Sequence, residues 1–319
     1  MRLLPPQQVH LPFAAGPYRM TMDLVTVPES AWFEFDDRYD EEMAEKRRLL
    51  STVPDDVFAA IPESDSARRE TLELVTRALT HHHPDWFGWK GSTLSNHLTE
   101  ESWDVGLGDP LDLAGRLVQE DLCLIQNREE GPLFTAATLC FPSRWRLLEK
   151  IGKPLATVHG PVPQYSDRLR GPVDRFMRHL KPGHIVSRLN WSLLDDPALF
   201  QSGGKWRVKT SEDITRENAG NRVYLRVERQ TLRRLPASGA ILFGIRVHVY
   251  ALDQIIDRPE RAVELIGAVN ALPADIQHYK SLLPFRQPLL EWLGRLAAGR
   301  GDATLVTDGA SGSPRLPQR

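Results

Sequence analysis

The chain has 319 residues, 41% hydrophobic and 26% charged, with 40 Lys+Arg against 42 Asp+Glu. A near-neutral net charge argues against a general nucleic-acid binder, which needs a basic surface. No apolar run approaches the ~20 residues that span a bilayer, and the N-terminus lacks the apolar core of a signal peptide. Cys123 and Cys140 are too few for a disulfide framework, a four-cysteine zinc site or an all-cysteine iron–sulfur cluster. Composition therefore predicts a soluble, cytoplasmic protein with a large core.

The N-terminal part of the sequence predicts an irregular arm followed by helices. Prolines interrupt residues 1–30, which we expect to pack on the body as an arm. Residues 37–50 begin with acids and end with bases, which suits the helix dipole. A second helix is predicted from Asp65 or Ser66 to near His81, and a third opens at Asp109-Pro110.

The middle of the chain changes to strand patterns. Two hairpins are predicted, the first from 121–126 and 133–141 and the second from 222–232 and 240–250, before helices return at 258–272 and 287–298. This order predicts an α+β fold with a mainly antiparallel sheet, one domain over 31–300, and a disordered tail at 301–319. The sequence contains no Gly-x-Gly-x-x-Gly turn, Walker loop, His-Glu-x-x-His or Gly-x-Ser-x-Gly motif.

One predicted strand carries a charged face. Alternation places Tyr224, Arg226, Glu228 and Gln230 on the same side. The face is either solvated, with an Arg–Glu pair worth little to stability, or it lines a pocket. In a pocket, the glutamate would hold a small ammonium ion, and the arginine would polarise bound oxygen or pair with a carboxylate.

Two further positions have open interpretations. Gly244 lies inside the neighbouring predicted strand, where it indicates either the approach of a flat cofactor or a bulge. His159 follows the apolar stretch 155–158 and precedes Gly160-Pro161, so it is placed to present a ring nitrogen to a cavity. A hydrogen-bonded core histidine is the competing interpretation.

Several ordered motifs together resemble a known family. They are Leu139-Cys-Phe-Pro-Ser-Arg-Trp145, Glu149 to Pro163 with its Val-His-Gly-Pro segment, Asn190-Trp-Ser192, Leu225 to Pro236, and Ser238 to Arg246. Over roughly residues 12 to 295 the sequence is similar to the haem-dependent oxidative N-demethylase alpha-subunit-like family.

The resemblance implies a PAS-like central antiparallel sheet flanked by helices, and a haem b cofactor. It also implies O2-dependent oxidation of a small secondary amine such as dimethylamine. NADPH, FMN and a 2Fe–2S cluster would act only through partner subunits, one of which binds folate. On this resemblance we expect His159 to be the proximal iron ligand, with His184 and His248 as alternatives.

The resemblance also suggests roles for polar residues. Arg226 and Glu228 are expected to line the distal side, with Gln230, Tyr224 and Asn190 orienting them or the cofactor. The basic stretch from Arg168 to Lys181 would grip haem propionates or lie on a solvated helix face. A non-catalytic haem-PAS sensor of gas or redox state, and a scaffold subunit without haem, remain alternatives.

Overall fold

The computed structural model describes residues 4–129 and 131–299. Its strands are β1 Val25–Val27, β2 Phe58–Ala60, β3 Phe87–Lys90, β4 Thr93–Asn96, β5 Glu101–Asp104, β6 Asp121–Arg128, β7 Gly131–Thr138, β8 Ile185–Leu194, β9 Tyr224–Arg234 and β10 Ile241–Ala251. Its α-helices are α1 Tyr39–Thr52, α2 Pro54–Val57, α3 Asp65–His82, α4 Pro110–Gly115, α5 Leu155–Val158, α6 Tyr165–Arg168, α7 Arg170–His179, α8 Ala219–Arg222, α9 Leu252–Ile255, α10 Pro259–Ala271, α11 Ala274–Tyr279 and α12 Arg286–Ala297. Among the helices in these ranges, none combines the length and apolar character needed to cross a bilayer.

A seven-stranded antiparallel sheet forms the centre, in the order β1-β8-β9-β10-β6-β7-β2, and β3-β4-β5 form a separate small sheet. The α+β prediction is therefore confirmed. The first hairpin, β6–β7, lies beside the last strand, β10, and a helical crossover carries the chain from β7 to the far side at β8. This arrangement agrees with the predicted PAS-like sheet.

Most predicted elements are present at nearly the predicted places, and local chemistry explains their ends. The Asp109 carboxylate accepts the backbone N–H of Leu111 at 2.9 Å and of Asp112 at 3.4 Å, and Pro110 occupies the first helical position of α4. The chain after β7 forms a 3₁₀ turn at Leu147–Glu149. The tail predicted at 301–319 lies outside the described residues.

The two faces of the sheet pack against different layers. On the first face, Leu225 and Val227 of β9 join a core cluster with α10 and α12, while Leu242 of β10 joins another with α3 and α4. On the second face, Ile245 and Val247 of β10 pack against the crossover that follows β7. Alternation along each strand produces this division. The free thiols Cys123 and Cys140 are both buried.

Two buried residues on the first face, Arg246 and Gly244, have contacts that explain their residue types. Arg246 donates to Asp36 at 2.7 Å and to Glu42 at 2.6 Å, which ties the N-terminal segment and α1 to β10. A Cβ at Gly244 would lie 2.7 Å from the Thr231 hydroxyl oxygen on β9. The glycine is therefore accounted for by a neighbouring side chain.

Candidate functional site

His159 lies in the crossover, directly after α5. Its Nδ1 is 2.9 Å from the backbone oxygen of Leu155, one helical turn earlier, and its ring stacks on Tyr165 with 4.5 Å between centroids. Because a carbonyl oxygen only accepts, Nδ1 carries the hydrogen and Nε2 presents a lone pair. Metal-bound histidines are usually fixed this way, by a hydrogen bond from the other ring nitrogen.

The surroundings of His159 keep its ring neutral. Burial lowers the pKa of the imidazole to about 4, and the positive charges of Lys150, Arg188 and Lys205 act in the same direction. The hydrogen bond to Leu155 opposes this shift without cancelling it. At neutral pH the side chain is therefore in the unprotonated form that binds metal.

Glu228 lies on the second face of the sheet, in the middle of β9. Its Oε2 accepts a hydrogen bond from Gln230 Nε2 at 2.8 Å and from Asn190 Nδ2 on β8 at 3.3 Å. The structure thus brings together three of the residues predicted from the sequence. Arg226 and Gln230 on the same face are only 1% and 9% exposed. The face is not open to bulk water.

Four cationic side chains, which we call the cation cluster, interact electrostatically with Glu228. They are Lys150, Arg188, Lys205 and Lys280. Burial lowers the pKa of Lys150 and of Lys280 to about 8, while the negative charge of Glu228 favours their protonated forms. Lys150, Lys205 and Arg188 also act on His159, so they link the histidine to the carboxylate. Arg226 also interacts with Glu228, and Glu149 and Asp23 are further carboxylates that act on members of the cluster. The excess of positive charge suits an anionic ligand.

Each lysine of the cation cluster is held in place by a neighbour. Lys150 Nζ donates to the Val158 carbonyl at 3.0 Å, and Lys205 Nζ donates to the Tyr279 hydroxyl at 3.3 Å. Lys280 Nζ donates to the carbonyl of Trp191. An ammonium has three donors, more than the single protein acceptor that each lysine has in the described part of the chain. The three ammonium groups also lie over the rings of Trp145, Tyr279 and Trp191, at 4.6, 4.8 and 5.6 Å from the ring centroids.

Partly exposed apolar side chains pack on the buried core of the second face. Val158, Val173 and Phe176 come from the crossover, and Val186 and Phe243 come from the sheet. Apolar surface of this kind suits a flat, largely apolar group.

Arg226 and Tyr224 share the face of Glu228 on β9, and Arg226 interacts electrostatically with Glu228. The buried Arg226 guanidinium donates to the carbonyls of Phe141 at 2.6 Å and Leu199 at 3.2 Å, so it holds the wall of the site together. Tyr224 lies four residues from Glu228 along β9, about 13 Å away at strand spacing. It lines a surface cleft of about 580 Å³ with Asp195 and Arg207, and the structure does not bring it to Glu228.

The alternative histidines and the basic stretch do not approach the cation cluster. His184 is exposed at the start of β8, and His248 belongs to the first face of the sheet, where its Nε2 lies 3.0 Å from Glu34. The basic side chains at 168, 170, 175, 178 and 181 are exposed, as a solvated surface requires. Of the three candidate ligands, His159 alone lies beside the cation cluster.

A family model described as haem-dependent oxidative N-demethylase, alpha subunit-like, matches residues 23–290. The chain belongs to this family. The family name identifies haem-dependent oxidative N-demethylation as its defining chemistry, an oxidoreductase reaction, and the alpha-subunit label implies other subunits. The residues fit such a cofactor, since His159 offers an iron ligand, the cation cluster suits two propionates, and the apolar side chains suit the macrocycle.

The sequence alone did not reveal the cation cluster. Lys150 was part of a family motif but had no assigned role, and Lys205 and Lys280 stand in unrelated segments. No spacing rule connects them, because the fold alone brings the three segments together. Arg188 lies opposite Gln230 in the pairing of β8 with β9. Knowledge of this strand pairing would have placed Arg188 on the face of Glu228.

Proposed function

We propose that this chain is the haem subunit of an enzyme that removes a methyl group from a small secondary amine such as dimethylamine. In the net reaction, one oxygen atom of O2 leaves in formaldehyde and the other in water. A separate NADPH-linked reductase subunit, with flavin and a 2Fe–2S cluster, supplies the two electrons. The observation that carries the proposal is the neutral His159, fixed through Nδ1 by Leu155 beside the cation cluster.

The chain's residues divide the binding of haem between them. His159 would hold the iron through Nε2, and the lysines of the cation cluster would pair with the propionates. When bound, the haem supplies the iron centre at which O2 is activated. The Leu155 hydrogen bond keeps the imidazole oriented and makes Nε2 a stronger ligand for a metal.

Glu228 is the proposed site of amine capture. A secondary ammonium needs a carboxylate acceptor. The four positive charges of the cation cluster would repel this ammonium. Pairing of the propionates with the cation cluster would offset part of this repulsion, and Glu228 would accept the ammonium hydrogens. Gln230 and Asn190 already orient its Oε2 and would keep Oε1 directed to the substrate.

Arg226 and Tyr224 have weaker support for direct roles. The hydrogen bonds from Arg226 to Phe141 and Leu199 support a positioning role in which it fixes the polar wall. Its predicted interaction with oxygen, and the predicted orienting role of Tyr224, stay predictions.

An anaerobic titration of the haem-reconstituted protein with dimethylamine tests the proposal. Binding near the iron should shift the Soret band saturably, and readmission of O2 with a chemical reductant should release formaldehyde. Glu228→Gln keeps the side-chain size and removes the charge, so it should weaken amine binding at least tenfold without loss of haem. A Soret band that never responds to amine, with no formaldehyde, would support a gas or redox sensor instead. Absence of any Soret band would support the haem-free scaffold.

A further inference from the structure

A cluster of two imidazoles and a carboxylate lies on the first face of the sheet, opposite the candidate haem site, with His248 buried and the other two residues partly buried. A nitrogen of His10, an oxygen of Glu34 and a nitrogen of His248 all lie within 4.8 Å of one another. His248 Nε2 is 3.0 Å from Glu34 Oε2, and His10 Nε2 is 3.6 Å from the same oxygen. We propose that these three residues form a binding site for a divalent transition metal of the zinc and cobalt class, separate from the haem iron.

The donor set and its spacing match such an ion. Zinc takes imidazole nitrogens and carboxylate oxygens at ~2.0–2.1 Å, so tetrahedral neighbours lie about 3.3 Å apart. The two separations involving Glu34 bracket this value. Two histidines and one carboxylate leave a coordination position for water, and favour zinc, cobalt or ferrous iron over calcium and magnesium.

An unpartnered ring atom supports a missing ligand at this place. His10 Nε2 is buried, with the side chain 10% exposed, and within the described ranges it has no hydrogen-bond partner. Buried polar atoms are rarely left unpaired in folded proteins. A cation between His10 and His248 would satisfy this nitrogen.

A neighbouring side chain orients the carboxylate. Arg229 Nε donates to Glu34 Oε1 at 2.9 Å, which leaves Oε2 towards the histidines.

A bound ion would fasten the N-terminal arm to the sheet. His10 belongs to the arm, Glu34 precedes α1, and His248 lies in the middle of β10. The Tyr250 hydroxyl already donates to the carbonyl of Gln8 at 2.5 Å, so arm and strand meet at this point. The site therefore has a stabilising role, independent of the proposed demethylase function.

Cobalt(II) titration of untagged, haem-free protein tests the proposal, since four-coordinate cobalt gives visible ligand-field absorption. The wild type and His159→Ala should each bind one equivalent, which zinc displaces and which raises the Tm. His10→Ala and Glu34→Gln should weaken cobalt binding at least tenfold. Because His10 lies in the arm, His10→Ala leaves the buried strand β10 unaltered. The double variant His81→Ala/His82→Ala, which removes the imidazoles at the end of α3, should bind as the wild type does. Absence of saturable binding, unchanged binding in His10→Ala, or loss of binding in the double variant would each overturn the proposal.

Discussion

Lys150 donates a hydrogen bond of 3.0 Å to the carbonyl of Val158, the residue immediately before His159. The proposed iron ligand and one proposed propionate partner are thus joined within a single segment of the crossover. A change in the lysine would therefore act on the carboxylate end of the cofactor and on the position of the ligand. This coupling distinguishes Lys150 from lysines that only add positive charge to the surface.

Replacement of Lys150 by glutamine should weaken haem binding about tenfold, because a charge-assisted bond to a propionate is lost. Haem transfer to excess apomyoglobin measures the change as a faster release. Lys153→Gln is the matched control, since Lys153 is exposed on the same segment. Equal release rates in the two variants would contradict a propionate role for Lys150.

The stability of the haem-free protein should depend on pH through His159. Burial lowers the pKa of His159 to about 4 in the folded protein, against 6.5 for the unperturbed group. Between these values the unfolded chain binds more protons, so the free energy of unfolding falls as pH drops from 6.5 towards 4. His159→Gln lacks this contribution, and its stability relative to the wild type should improve by about 2 kcal/mol over that interval.

Urea unfolding of both proteins at several pH values measures this difference. A stability difference that stays constant from pH 7 down to about 4.5 would mean that the imidazole is not buried as described.

Gly244→Ala should destabilise the protein by about 1–3 kcal/mol, because the new Cβ would meet the Thr231 hydroxyl at 2.7 Å. Thr231→Ala removes that oxygen, which is buried and without a hydrogen-bond partner in the described residues. The double variant should therefore recover most of the loss, as a thermodynamic cycle from urea unfolding would show. Strictly additive effects would rule out this contact as the reason for the glycine.

Arg246→Ala should cost about 3–5 kcal/mol, because it leaves the buried carboxylates of Asp36 and Glu42 without their cation. Arg48→Ala breaks the surface pair with Glu45 and should leave stability nearly unchanged. Thermal unfolding compares the two variants. Similar Tm values would indicate that the Arg246 network is dispensable for folding.

Strands β9 and β10 were predictable from alternation, and β8 was not predicted although its residues alternate too. In β9 and β10 the apolar residues recur at every second position, which identifies both strands. In β8, Leu189, Trp191 and Leu193 alternate with Arg188, Asn190 and Ser192, which share the face of Glu228. The polar residues of β8 interrupt the kind of β-branched and aromatic run that identified β10.

The candidate site itself was only partly predictable. Alternation placed Glu228 and Gln230 on one face, and the family motif singled out His159. The family motif included Lys150 without a role for it, and Lys205 and Lys280 reach the site from loops distant in sequence, which no local pattern connects. The backbone contacts of Arg226 also depend on tertiary structure, since its acceptors are Phe141, after β7, and Leu199, after β8.

The most direct test is the absorption spectrum of His159→Gly after reconstitution with haemin, in comparison with His184→Gly and the wild type. His159→Gly should bind haem weakly with an altered Soret band, and added imidazole should restore the wild-type spectrum. His184→Gly should be indistinguishable from the wild type. A His159→Gly protein that retains the wild-type spectrum and haem affinity would contradict the assignment of His159 as the iron ligand.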